Sequence, residues 1–274
     1  MRRNLGAAIR AAALSALLLG PPAAAATPTG DWKIEPAEAR CVAVRQYSDG
    51  EKPISLALKA PPTGTAMQLA VIRQAYRKKS EQTGATIEID GKPFTTYALG
   101  YPLGFPAKSS KQSVSLIHLP QDAAAAMRSA KHVDLKVKSS FQDSFRLGDP
   151  TRIWTMMDSC LERLRQTWNI GIHAANLATV ARATVPFDGM FSPEDFPLQV
   201  IRNVWNGKVT FLLMIDETGK VKDCTLAESS GIAVIDSRSC AVVTYKARFE
   251  PATGRDGKPA KSVYEQSITW RVTD

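Results

Sequence analysis

One stretch constrains the fold more than any other, and it lies at the end of the chain. Val209, Phe211, Leu213 and Ile215 alternate as one buried face of a strand requires. Asp216-Glu217-Thr218-Gly219-Lys220-Val221 then reads as a hairpin turn, because Gly219 can take a positive φ at little steric cost. Val221 to Leu226 returns as the partner strand. After Ser229-Ser230-Gly231, the residues Ile235, Ser239, Val242 and Val243 fall on one helical stripe, which suits a helix laid on that sheet. In the final run Tyr264, Ile268, Trp270 and Val272 share one strand face, and Glu265, Ser267, Thr269 and Arg271 share the other. Gln266 sits on the apolar face without an evident role. The expected fold class is α+β: a small antiparallel sheet covered by helices, preceded by a longer β-rich region.

Further landmarks frame this pattern. Phe196-Pro197 opens a short helical run, Asn206-Gly207-Lys208 leads into the first strand, and Arg248-Phe249-Glu250-Pro251-Ala252 and Asp256-Gly257-Lys258-Pro259 precede the last one. In this order the motifs resemble the C-terminal domain of TonB, the periplasmic tip of the energy transducer that serves outer-membrane transporters. The resemblance covers residues 192–273 and implies a non-enzymatic binding domain, an antiparallel sheet covered by two helices. Such domains take an extended partner segment along the C-terminal strand, which is β-augmentation. That implication makes Ser262, Tyr264, Glu265, Ser267, Thr269 and Arg271 the candidate partner-binding residues. The implied partner is the periplasmic segment of an outer-membrane transporter or another envelope protein, and pairing of two copies through the same edge is an alternative.

The N-terminus supplies an address. Met1-Arg2-Arg3 and Arg10 form a positive region, Ala11 to Gly20 a short apolar run, and Ala24-Ala25-Ala26 an Ala-x-Ala-like cleavage site. This pattern is that of a secretory signal peptide over residues 1–26. The apolar run is about half of the ~20 residues a membrane-spanning helix needs. The expected location is the periplasm, or the membrane if the N-terminus is not cleaved. The full transducer begins with an uncleaved anchor and a long Pro-rich spacer, and neither pattern is visible. A cell-envelope adaptor that binds cell-wall polymer or another envelope protein without energy transduction is therefore the alternative function.

Formal net charge is +9 over 274 residues, and +6 once Arg2, Arg3 and Arg10 leave with a signal peptide (9 − 3). That mild surplus fits a solvated surface, and the Arg77-Lys78-Lys79 run is too short to support nucleic-acid binding. The four cysteines suit an oxidising compartment and allow three connectivities. Pairing Cys41 with Cys160 and Cys224 with Cys240 keeps each bridge within one domain. The second bridge would close a loop of roughly 17 residues, worth about 3 kcal/mol in the chain-entropy model.

The remaining chain divides into a β-rich N-terminal domain at 30–168 and a linker at 169–191, before the C-terminal domain at 192–274. Asp31–Ile34, Cys41–Arg45, Ile54–Leu58, Thr86–Lys92, Ser113–Leu119 and His132–Lys138 carry strand patterns. Helices are expected over Ala123–Ala130 and Arg152–Trp168. The Asp31-Trp32 start and the paired cysteines give this part a faint similarity to exported IalB-like β-rich domains, from which no function is carried over.

Catalytic and cofactor patterns are sparse. Ser229-Ser230-Gly231 lacks a G-x-S-x-G context. Asp216 and Asp236 read as turn and helix-start residues. His118, His132 and His173 are scattered, and Gly64, Gly84, Gly91 and Gly104 form no phosphate-binding loop. Trp205, Phe211, Tyr264 and Trp270 read as core. The expectation is a binding protein with no catalytic residue, no metal and no cofactor.

Overall fold

The computed structural model describes residues 24–63, 67–77, 80–103, 111–196, 198–203 and 206–272. Most of the expected signal peptide lies outside the described residues, as do Gly64, Gly104, Pro197 and Trp205.

The N-terminal half is one antiparallel sheet that curls until it closes. Its strands are β1 (Ala24–Pro28), β2 (Lys33–Ala37), β3 (Arg40–Ser48), β4 (Pro53–Ala60), β5 (Gln68–Arg73), β6 (Glu81–Ile89), β7 (Lys92–Leu103), β8 (Gln112–His118), β9 (His132–Val137) and β10 (Phe141–Arg146). Their spatial order is β1-β10-β9-β6-β7-β8-β5-β4-β3-β2. Closure comes from β1, whose Ala24–Ala26 pair in parallel with β10 while Thr27 and Pro28 pair with Ser48 and Tyr47 of β3. The result is a β-barrel, which removes most sheet edges from solvent.

Alternation fills the barrel. Ile54, Leu56, Ile87, Ile117, Leu135 and Phe145 point inward and are fully buried. Helix α1 (Gln121–Met127) adds Ala123, Ala124 and Met127, and α2 (Pro150–Thr167) adds Ile153, Trp154, Met157, Leu161 and Leu164 to the same core. Cys160 of α2 is bonded to Cys41 of β3, with Cα atoms 6.1 Å apart.

Residues 169–196 contribute single-turn 3-10 segments and two short strands, β11 (Leu177–Thr179) and β12 (Arg182–Ala183). The C-terminal unit then runs α3 (Leu198–Arg202), β13 (Gly207–Ile215), β14 (Val221–Glu228), α4 (Ala233–Lys246), β15 (Phe249–Glu250), β16 (Ala252–Gly254), β17 (Pro259–Ala260) and β18 (Ser262–Trp270). Its main sheet has the order β14-β13-β18. The connecting segment packs on this unit: β11 pairs with β16, β12 pairs with β15, and Ala181, Phe187 and Met190 are buried.

One face of the main C-terminal sheet carries Val209, Phe211, Leu213 and Ile215, all buried under α4 and the aromatic residues of the preceding segment. The Ser239 hydroxyl on the α4 stripe accepts the indole N–H of buried Trp270 at 2.7 Å, so the polar position on that stripe is satisfied. The Asp216 turn forms as read. Its carboxylate accepts from Thr218 N, Thr218 Oγ1 and Lys220 N, and Gly219 takes φ 77°. Glycine is obligatory there for a second reason, since a Cβ would sit 1.8 Å from the Phe249 carbonyl oxygen. Cys224 of β14 is bonded to Cys240 of α4, with Cα atoms 5.5 Å apart, so the bridge ties helix to sheet.

The opposite face is not solvated. Met214 is fully buried and belongs to the barrel's core, with Val263 packed beside it. Polar ties surround that contact. Asp223 pairs with Arg40 at 3.2 Å and Lys59 at 3.9 Å, and Glu38 pairs with Lys222 at 3.0 Å and Lys261 at 3.3 Å. Tyr97 of β7 donates to Asp236 at 2.6 Å, and Asp236 also accepts from Ser229 Oγ, Ser230 N and Ser230 Oγ. Burial, reinforced by the Asp236 charge, raises the Tyr97 phenol far above its ordinary pKa and keeps it a donor. Asp236 is thus more than the helix-start residue its position suggests: it joins the two halves.

Candidate functional site

The C-terminal sheet ends in two outer strands, β14 and β18, and the candidate partner-binding residues lie on or beside β18. This last strand pairs with β13 on one side, from Gly207↔Trp270 to Ile215↔Ser262, and no strand covers its other side among the described residues. Along its nine residues every second main-chain N–H and C=O group turns away from β13.

The candidate residues take different positions along this edge. Glu265 and Thr269 are exposed, and Arg271 is exposed just past the strand end. The Ser267 hydroxyl lies 2.8 Å from Thr210 Oγ1, which in turn donates to Glu228 at 3.0 Å, so Ser267 is tied across the sheet. Tyr264 is half-buried in an aromatic cluster, stacked on Phe187 at 5.7 Å with 9° between planes and 5.0 Å from Phe249. Ser262 is 1% exposed, and its hydroxyl has no hydrogen-bond partner. Its side chain is enclosed on the face it shares with Ile215, so the side chains available to a partner begin at Tyr264.

Beside the edge runs a groove of about 360 Å³, lined by Phe187, Phe191, Phe196, Gln266, Ile268 and Trp270 together with Ser267 and Thr269. Phe191 and Phe196 meet the Trp270 ring edge to face, at 5.3 and 4.5 Å. Gln266, without a role in the sequence, lies in this groove and donates through Nε2 to the Ser267 carbonyl at 2.7 Å. The three phenylalanines were the missed part of the site. Their signal was present: Phe187 and Phe191 of the segment read as a linker, with Phe196 just after it, put three large aromatic residues within ten positions, too apolar for a solvated tether.

Asp195 fixes this aromatic segment. It accepts from Ser192 N at 2.8 Å, Arg238 Nη2 at 2.9 Å and Lys246 Nζ at 2.6 Å. The Lys246 hydrogen bond, then that of the Ser192 backbone, lowers its pKa to about 2, so it stays ionised.

Histidines do not converge. His132 contacts Ser144 and Asp134, His173 contacts Glu162, and His118 stacks on Tyr97. Among the described residues no group of three His, Cys, Asp or Glu could hold a metal ion, and no helix is long and apolar enough to cross a membrane.

The fold and edge define a class: a small antiparallel α+β domain with a strand edge and an adjoining apolar groove. Residues 192–272 match the family described as the Gram-negative bacterial TonB protein C-terminal domain. The match coincides with the C-terminal unit from Ser192 to Val272, and the barrel lies outside it. No curated protein matches the chain.

Proposed function

We infer that this protein is a TonB-like component of the cell envelope that captures an extended segment of a partner protein on β18 by strand addition. The observation that carries the reading is the open β18 edge beside the aromatic groove, within the region matched by the TonB family. Main-chain hydrogen bonds along β18 supply affinity, and the groove receives alternate side chains of the incoming strand. Exposed Glu265 and Arg271 select among partners by charge, and Thr269 by hydrogen bonding. The partner is the periplasmic segment of an outer-membrane transporter, and the role is in TonB-dependent transport.

The adaptor reading, without energy transduction, draws on a separate observation. The sheet is packed on the barrel through Met214, Asp223 and Asp236, so an adaptor would join a captured strand to whatever the barrel holds.

The test is fluorescence anisotropy with a labelled N-terminal periplasmic peptide of a TonB-dependent transporter. Successive residues of a strand donate to opposite sides. Of Ser267→Pro and Ile268→Pro, one therefore breaks the β13 ladder and the other removes only an edge donor. The variant that stays folded should bind about tenfold more weakly, the loss of one or two main-chain hydrogen bonds. Unchanged affinity in that variant would move the partner site off β18.

A further inference from the structure

The barrel interior changes character along its axis. Leu69 and Val71 are core residues of β5, and the alternation places Arg73 on the same inner face. Their partners on β8 are Ile117, Ser115 and Ser113 in that order. Leu69 lies at the end closed by Trp154 and Met127 of the two helices. Arg73 and Ser113 lie toward the opposite mouth, which opens into a cavity of about 490 Å³. Mouths of β-barrels are recurrent ligand sites because inward side chains converge there from several strands.

Two arginines reach this mouth, and they differ. Arg73 is occupied, paired with Asp143 and, at 3.2 Å, with Asp49. Arg77 has no carboxylate partner among the described residues. Its guanidinium lies where a side chain at position 100 would be, since a Cβ on Gly100 would fall 2.4 Å from the Arg77 Cζ. Nη2 reaches the Ser140 hydroxyl at 3.3 Å, while Nε is buried with no acceptor. A buried guanidinium donor without an acceptor is unfavourable until a ligand supplies one. The group that fits a planar N–H fork is a carboxylate.

The other lining residues narrow the class. Ser113 and Ser115 are buried hydroxyl-bearing residues on an inner face that is apolar further down. The 65%-exposed Tyr76 adds aromatic surface, which covers the C–H face of a sugar ring, while the Arg73 guanidinium already lies over the Phe141 ring at 5.2 Å. Glu81 lines the mouth with an exposed side chain and can accept from sugar hydroxyls.

We propose that the barrel mouth binds a sugar acid: a pyranose-sized ring whose carboxylate docks on Arg77 and whose hydroxyls meet Ser113 and Ser115. This site is separate from the β18 edge, and neither reading depends on the other.

Calorimetric titration of the full chain with glucuronate, glucose and inorganic phosphate tests it. Glucuronate should saturate the site, with glucose about tenfold weaker, the factor a charge-assisted pair contributes. Arg77→Gln should remove the preference for glucuronate. Gly100→Ala should weaken glucuronate by a similar factor, because its methyl takes the guanidinium's seat, and should leave the circular dichroism spectrum unchanged because only a flexible side-chain end must move. No saturable glucuronate binding at about 10 mM, a range that tests for weak affinity, would overturn the proposal. So would equal affinity for glucose, phosphate binding tighter than glucuronate, or glucuronate binding indifferent to Arg77→Gln.

Discussion

The two outer strands of the C-terminal sheet pair with the same central strand and have opposite fates. β14 is committed: Lys222 and Asp223 form ion pairs with Glu38, Arg40 and Lys59 of the barrel, and Cys224 is bonded to α4. β18 meets the barrel near its start, through Val263 and through the preceding Lys261, whose ammonium pairs with Glu38 and sits over the Trp168 ring at 5.1 Å. Beyond Tyr264 it runs free of the barrel, with Glu265 and Thr269 in solvent. An unpaired strand edge is an aggregation hazard unless it is short, charged or used. β14 is tied to the barrel and to α4 through its side chains, whereas β18 keeps exposed side chains beside an apolar groove, which is the asymmetry the proposed strand capture would use.

Changes on the committed side should lower stability while leaving the affinity of folded molecules for a β18-binding peptide unchanged. The largest effect is expected at the hairpin. Gly219→Ala forces a left-handed residue and drives its methyl into the Phe249 carbonyl, which should lose about 3–5 kcal/mol in urea titration. Next, Cys240→Ala should lose about 3 kcal/mol by the same measurement, since it opens the loop to Cys224. Tyr97→Phe deletes one donor to the Asp236 carboxylate and should lose about 2 kcal/mol. If any of these folded variants binds the peptide differently, the two sides of the sheet are coupled rather than separate.

The smallest effect is set by pH. Burial lowers the His118 pKa below its ordinary value, against an opposing contribution from Asp236. The unfolded chain therefore binds more protons just below pH ~6.5, and stability should be full above that value and decline as pH falls through it. Asp195 acts at a lower window: its pKa of about 2 means its contribution is present above pH ~4 and lost as pH falls toward 2. Thermal melts from pH 8 to 3, with His118→Gln and Asp195→Asn variants, separate the two.

The sequence made the C-terminal elements legible because their periodicities are clean. The Ile235, Ser239, Val242, Val243 stripe is buried as read. The pairing of β14 with α4 through cysteines also follows the order of elements. What escaped was the second face of β13. Phe211-Leu212-Leu213-Met214-Ile215 is a continuous apolar run, and such runs mark strands covered on both sides. Reading only every second residue hid Met214, which carries the barrel contact. In the N-terminal half β7 was obscured by Pro93, Gly100 and Pro102, and β10 by the inward Asp143, a polar residue at a core position whose partner Arg73 is 70 positions away. Barrel closure depends on such distant pairings, which a local pattern cannot register. The open edge itself was legible from the two-faced pattern of β18, whereas the groove beside it required knowing that residues 187–196 fold back on Trp270.

The closing strand of the barrel bears on where the signal peptide expected from the N-terminal pattern could be removed. Ala24–Ala26 hold β10 and Thr27–Pro28 hold β3, with Ala26 buried at 4% exposure. A cut after Ala26 would keep the stitches to β3 and discard those to β10. The barrel would then carry a slit between two staves, lined by the bare backbone of Asp143, Ser144 and Phe145. A cut before Ala24 would keep all three of the β10 pairings. Any processing within this run of alanines would therefore set how much of the β1–β10 pairing survives, and with it whether β10 becomes a further strand edge.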